Sequence, residues 1–234
     1  MADQFRADRD MLSPNDDGVR YGRPSLVIAH TNEGDANGRA DDLGAWLQKP
    51  ESEASYTMIV DRAGRTVRSN DDNYVPWAAG SPANERGLHL CFIGRASQSR
   101  KDWLNQDKQL RAGARVAADW CRRYNIPAGW LSGDQMRSGL SGIGGHDTTV
   151  QAWHATDHTD PGTGFPRDRF IQLVNEYLTG ATEQDDGMAF TDEDRRKLNY
   201  IYNQLRPWPQ LGANAKGEPL TLVDAVASIK DEAA

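Results

Sequence analysis

Ser25-Leu26-Val27-Ile28-Ala29-His30 is a short apolar run that ends on a histidine and passes into a polar, glycine-bearing stretch at residues 31–38. A run of this length with a turn signal behind it reads as a short buried strand. In α/β folds, sites lie at the carboxyl ends of strands, which is where His30 falls.

Outward from this strand, residues 40–47 place Leu43, Trp46 and Leu47 at helical spacing ahead of Pro50, predicting a helix. Residues 55–60 read as a second strand. The hairpin turn after it is Asp61-Arg62-Ala63-Gly64-Arg65-Thr66-Val67, with Gly64 supplying the bend. Residues 87–94, apolar and glycine-bounded, are expected to form a central strand. Residues 106–124 put Leu110, Ala114, Ala117, Cys121 and Tyr124 on one helical face, and Asn125-Ile126-Pro127 stops that helix. The stretch 132–164 is rich in Gly, Ser, Thr and Asp and holds three histidines, so it is expected to be one long functional loop. Residues 167–178 resume a helical pattern, with Phe170, Val174 and Tyr177 on one face.

Residues 180–190 read as a polar linker. Residues 191–234 read as two short helices, opened by Thr191 with Asp194 and by Thr221 with Asp224. Their stripes are Leu198, Ile201, Tyr202 and Leu205 in one and Leu222, Ala225, Val226 and Ile229 in the other. Each is short enough to need a partner, so packing on the rest of the chain or self-association through these helices is expected.

Composition narrows the classes. No stretch approaches the ~20 apolar residues of a membrane span, and the start lacks the basic-then-apolar run of a secretory signal. The expectation is a soluble protein made in the cytoplasm, with no membrane partner. With 34 acidic residues against 27 Lys and Arg, the net charge of -7 disfavours nucleic acid, whose binding rests on a surplus of basic groups. Cys91 and Cys121 are too few for a disulfide framework or a cysteine-rich zinc knuckle, and both sit in apolar segments as small buried side chains.

The chemistry concentrates in histidines. His146, His154 and His158 fall in the glycine-rich stretch and His30 on the first strand, and such groups can converge on a metal that needs three N or O ligands. His89, between Leu88 and Leu90, faces away from both in a strand and reads as a structural histidine. Spacing alone leaves these histidines undecided between ligand and ordinary polar roles.

Five blocks occur in order: Val27-Ile28-Ala29-His30-Thr31-Asn32-Glu33-Gly34, Ser55-Tyr56-Thr57-Met58-Ile59-Val60-Asp61-Arg62-Ala63-Gly64, residues 87–94, Gly145-His146-Asp147, and Asp160-Pro161-Gly162-Thr163-Gly164-Phe165. Over about residues 13–178 the chain resembles the zinc-dependent N-acetylmuramoyl-L-alanine amidases of the type 2 amidase and peptidoglycan-recognition superfamily. It looks most like endolysins of actinobacteriophages. The resemblance implies a catalytic domain over residues 1–179: an α/β fold with a mixed central β-sheet flanked by helices, zinc in a cleft, and peptidoglycan as substrate. It maps the metal ligands onto His30, His146 and Asp160, and places Tyr56 and His158 beside the metal as catalytic groups. His154 matches no block and is expected to be structural or solvent-facing.

The implied reaction is hydrolysis of the bond between N-acetylmuramic acid and L-alanine, with zinc polarising the lactyl carbonyl and acidifying water. Release to the wall through a holin, or carriage in the virion, fits a chain without a leader. Two features depart from the pattern. Trp77-Ala78-Ala79-Gly80 lacks the histidine of a Trp-His-Ala-Gly block, and Cys91 stands where some relatives carry a glutamate base. A non-catalytic peptidoglycan-binding module of the same fold is the main alternative. A two-carboxylate muramidase has no paired block to support it.

Overall fold

In the computed structural model, which describes residues 4–180, the apolar run forms a strand whose six side chains are all buried. In chain order the strands are β1 (Arg9–Asp10), β2 (Asp16–Val19), β3 (Leu26–Thr31), β4 (Met58–Val60), β5 (Thr66–Arg68), β6 (Tyr74–Pro76), β7 (Gly87–Phe92) and β8 (Gly142–Gly145). The helices are α1 (Ala40–Leu47), α2 (Ala83–Arg86), α3 (Arg100–Leu104), α4 (Asp107–Tyr124), α5 (Gly133–Arg137), α6 (His146–Trp153) and α7 (Arg167–Thr179).

Six strands form one mixed sheet in the order β1-β5-β4-β7-β3-β8. The buried strand β3 pairs in parallel with both β7 and β8, and β4 runs parallel to β7. Only β5 runs antiparallel to its neighbour β4, joined to it through Gly64, whose φ of 83° suits a residue without Cβ. A separate antiparallel pair, β2 and β6, stands outside this sheet.

Period-two alternation sorts the central strands onto two faces. Val27, Ala29, Met58, Val60, Leu88, Leu90 and Phe92 pack against Leu110, Ala114 and Ala117 of α4 and Phe170, Leu173 and Val174 of α7. On the other face, Ile59, Val67, Cys91 and Ile93 meet Ala40 and Leu47 of α1. There too, Leu26 and Ile28 meet Met136 of α5 and Ala152 of α6. Helices thus cover both faces, the mixed sheet and flanking layers expected from the sequence. Both cysteines are buried and unpaired.

Two local readings need correction. The second strand begins at Met58, not at Ser55: Thr57 donates its N–H to His89 O, while Ser55 turns away to Trp77 O. The stretch 132–164 is not one loop but carries α5, β8 and α6. A strand reading Gly-Ile-Gly-Gly offers almost no hydropathy signal, and its glycines are there for space. A Cβ would lie 2.8 Å from Leu131 at Gly142 and 2.6 Å from Met136 at Gly144. The two helices read over residues 191–234, and all but the first residue of the linker, lie outside the described residues.

Candidate metal centre

Two parallel strands deliver two histidines to one end of the sheet. His30 is the fifth residue of β3, and His146 follows directly on β8 as the first residue of α6. Asp160 arrives from the segment between α6 and α7. It is fixed by its backbone carbonyl, which accepts from Asp147 N at 2.8 Å, and by its carboxylate, which accepts from Thr31 N at 3.1 Å.

All three side chains are buried, and one ligand atom from each lies within 4.8 Å of the others. Nδ1 of His30 is 3.2 Å from Asp160 Oδ2, and Nδ1 of His146 is 3.1 Å from Asp160 Oδ1. Both rings are engaged on the far side as well. His30 Nε2 is 2.9 Å from Nδ1 of His89, and His146 Nε2 is 2.8 Å from Thr156 Oγ1. Each imidazole therefore turns Nδ1 inward and has Nε2 held from behind, the way a metal-ligating histidine is usually oriented.

Electrostatics follow from this enclosure. Burial alone would raise the Asp160 carboxyl, but the His146 and His30 rings beside it outweigh that and hold Asp160 far below the usual carboxylate range. Burial pushes His30 down, opposed by Asp160. Two buried imidazoles around one buried carboxylate make a donor set suited to a borderline divalent cation.

Tyr56 and His158 both border this cluster. The Tyr56 ring centroid is 5.3 Å from that of His30, and burial, then Cys91 and Asp160, raises its hydroxyl well above its ordinary value. His158 stacks on His146, and its Nδ1 is 3.8 Å from Asp160 Oδ1; its side chain is 58% exposed. His154, exposed at the carboxyl end of α6, has a left-handed backbone and no part in the cluster. Cys91 lies opposite His30 in the β3–β7 register, where burial pushes its thiol well up, so no charged base stands at that position. Asp147 pairs with Arg167 at 2.6 Å rather than with an imidazole. The segment around Gly80 lies beside Ala155 and Thr156.

His89 is the residue whose place the sequence reading missed. The alternation correctly turned it away from Leu88 and Leu90. The register then pairs it with Ile28, on the face that also carries His30. A histidine inside an otherwise apolar buried strand was the available signal.

A mixed α/β sheet with a buried His-His-Asp cluster at the carboxyl ends of its parallel strands defines a class of protein able to hold a metal ion there. Residues 20–163 match the N-acetylmuramoyl-L-alanine amidase family, and the chain belongs to it. Residues 190–234 match a second family, described as the Rv3766 C-terminal domain. The endolysin of Listeria phage A511 is 27% identical over 142 residues, covering 58% of this chain and 38% of that protein. An uncharacterized protein, Rv3766 of Mycobacterium tuberculosis, is 46% identical over 56 residues, 20% of each chain. The chain thus spans well under half the length of either relative. Among solved structures, the Staphylococcus aureus hydrolase AmiA, crystallised with its ligand, superposes with a TM-score of 0.61 at 17% identity, over 78% of this chain and 87% of that one. PlyL gives 0.52 at 14% identity, over 74% and 97%. At these identities the likeness is one of fold.

Proposed function

We propose that this chain is a peptidoglycan amidase of the endolysin kind, which hydrolyses the amide bond between N-acetylmuramic acid and L-alanine of the stem peptide. The observation that carries the reading is the convergence of two Nδ1 atoms on one buried carboxylate, each ring being held at Nε2 from behind. One ligand atom from each of His30, His146 and Asp160 lies within 4.8 Å of the others, two nitrogens and an oxygen of the kind that would hold a divalent cation. His30, His146 and Asp160 are accordingly assigned as the zinc ligands. Held there, zinc would supply Lewis acidity to polarise a carbonyl and to make water a nucleophile near neutral pH.

The remaining groups act around that centre. In the hydrolysis, the oxygen of water bonds to the lactyl carbonyl carbon, the C–N bond breaks, and a proton passes to the leaving alanine nitrogen. Tyr56, kept protonated by its surroundings, donates a hydrogen bond to the carbonyl oxygen as negative charge builds on it. His158, at the open edge of the cluster, faces incoming substrate and serves as donor to the oxyanion or to the departing nitrogen. Cys91 supplies no carboxylate base, so proton transfer falls to these two groups and water.

The same reading takes residues 1–179 as the catalytic unit, 180–190 as a linker and 191–234 as a separate segment. No helix among the described residues is long and apolar enough to cross a membrane, which fits action on a wall polymer. Product analysis on purified cell wall tests the activity. New free amines of L-alanine are expected. New reducing sugar ends would make it a muramidase, and wall binding without either product would make it a recognition module.

A further inference from the structure

His89 lies in the middle of β7, fully buried, and the reaction above makes no use of it. Its Nδ1 is 2.9 Å from Nε2 of His30, and its Nε2 is 3.3 Å from the carbonyl oxygen of Ala83. Parallel register brings this about, because His89 is paired with Ile28 and so shares a sheet face with His30. Gly87, two residues earlier on the same strand, leaves the necessary room. A Cβ there would lie 2.7 Å from both Ala83 O and His89 Nε2.

Both ends of this chain, Ala83 O and the Asp160 carboxylate, only accept, so the hydrogens fall on Nε2 of each ring when Nδ1 of His30 ligates a cation. A neutral imidazole carries one N–H and one lone pair, while a carbonyl oxygen only accepts. Facing Ala83, Nε2 of His89 holds the hydrogen, so Nδ1 of His89 is an acceptor. Its partner, Nε2 of His30, must then donate, and Nδ1 of His30 keeps its lone pair. That lone pair faces a carboxylate oxygen of Asp160 at 3.2 Å. Two acceptors so placed are reconciled by a cation that both of them bind.

We propose that His89 is a positioning residue of the metal centre: by accepting the Nε2–H of His30 it fixes the tautomer and rotation of that ring and presents Nδ1 for ligation. The proposal rests on the reading of His30, His146 and Asp160 as zinc ligands.

Zinc affinity of the full chain, measured by competition with a chelating indicator, provides the test, with thermal unfolding as the check on folding. His89→Leu removes the acceptor while keeping an apolar filling, and its zinc affinity is expected to fall ~10–100-fold. His89→Asn, whose Oδ1 stands near the place of Nδ1, should recover most of that loss. A folded His89→Leu with wild-type affinity overturns the proposal, as does a His89→Asn that is no better than the leucine variant. Nitrogen-15 NMR of the zinc-loaded wild type gives a readout that needs no variant. Hydrogen is expected on Nε2 of both His30 and His89, and a hydrogen on Nδ1 of His89 overturns the proposal. A wild type that binds no zinc would instead remove the ligand reading itself.

Discussion

The imidazole of His158 lies parallel to that of His146, with ring centroids 4.7 Å apart and planes 9° apart. The two rings have different surroundings: His146 is buried with Asp160, whereas His158 is more than half exposed. A ligand and a group that meets substrate would differ in this way. His158→Ala is therefore expected to retain zinc and lose turnover by ~10²-fold or more, in the range of positioned acid–base groups. Tyr56→Phe should behave likewise, and His154→Ala should match wild type. Turnover on soluble muropeptide, beside the zinc content of each variant, checks this. Loss of zinc in His154→Ala with no effect of His158→Ala would reverse the assignment.

Much of the architecture was legible because the side chains that build it are apolar and periodic. Leu26 to Ala29 and Leu88 to Phe92 read as strands, and Leu110, Ala114 and Ala117 as a helix face, since each must be removed from water. The strand Gly142–Gly145 was not legible, because its role is to leave space for Leu131 and Met136, and absent side chains carry no hydropathy. Among site residues, His30, His146 and Asp160 were readable through ordered blocks far apart in sequence, and the fold brings them together. His89 was not, because its partner is set by strand register, which alternation along one strand does not reveal.

Close packing of α4 on β7 gives a test of the core. A Cβ on Gly113 would lie 2.4 Å from Phe92 Cε1, with Phe92 fully buried against Trp103, Phe165 and Phe170. Alanine gains up to ~1 kcal/mol of helix propensity over glycine, but forcing a methyl into a packed core costs about 1–3 kcal/mol. Gly113→Ala is thus expected to destabilise the fold, seen as a lower midpoint in urea. A raised midpoint would mean that the helix and Phe92 move apart easily.

Acid stability should carry the mark of Asp41. Its hydrogen bond to Arg65, with a further contribution from Arg9, lowers its carboxyl to about 2 although partial burial opposes this. A depressed folded-state value stabilises the protein above the unfolded value near 4, and that contribution fades as pH falls from about 4 through 2. Asp41→Asn should therefore cost about 1 kcal/mol near neutral pH, given the exposed arginine partners, and little at pH 2. Urea unfolding at both pH values measures the difference. A gap that stays constant with pH would remove the charge from the explanation.

Residues 180–234 are expected to be dispensable for the chemistry. A chain ending at Thr179, the last residue of α7, should fold, bind zinc and cut soluble muropeptide at close to the full-length rate. Its mass in solution should change, since self-association is expected of the two short helices in the removed segment. Failure of the shortened chain to fold would place the tail within the catalytic unit.

Zinc content, measured by elemental analysis alongside lytic activity, decides whether His30, His146 and Asp160 work as a metal centre. The account predicts about one zinc per chain, bound by three protein ligands as in other catalytic zinc sites. It predicts that His146→Ala loses both metal and lysis, and that exhaustive chelation abolishes activity until zinc is returned. Full activity in protein shown to hold no zinc after chelation would contradict it.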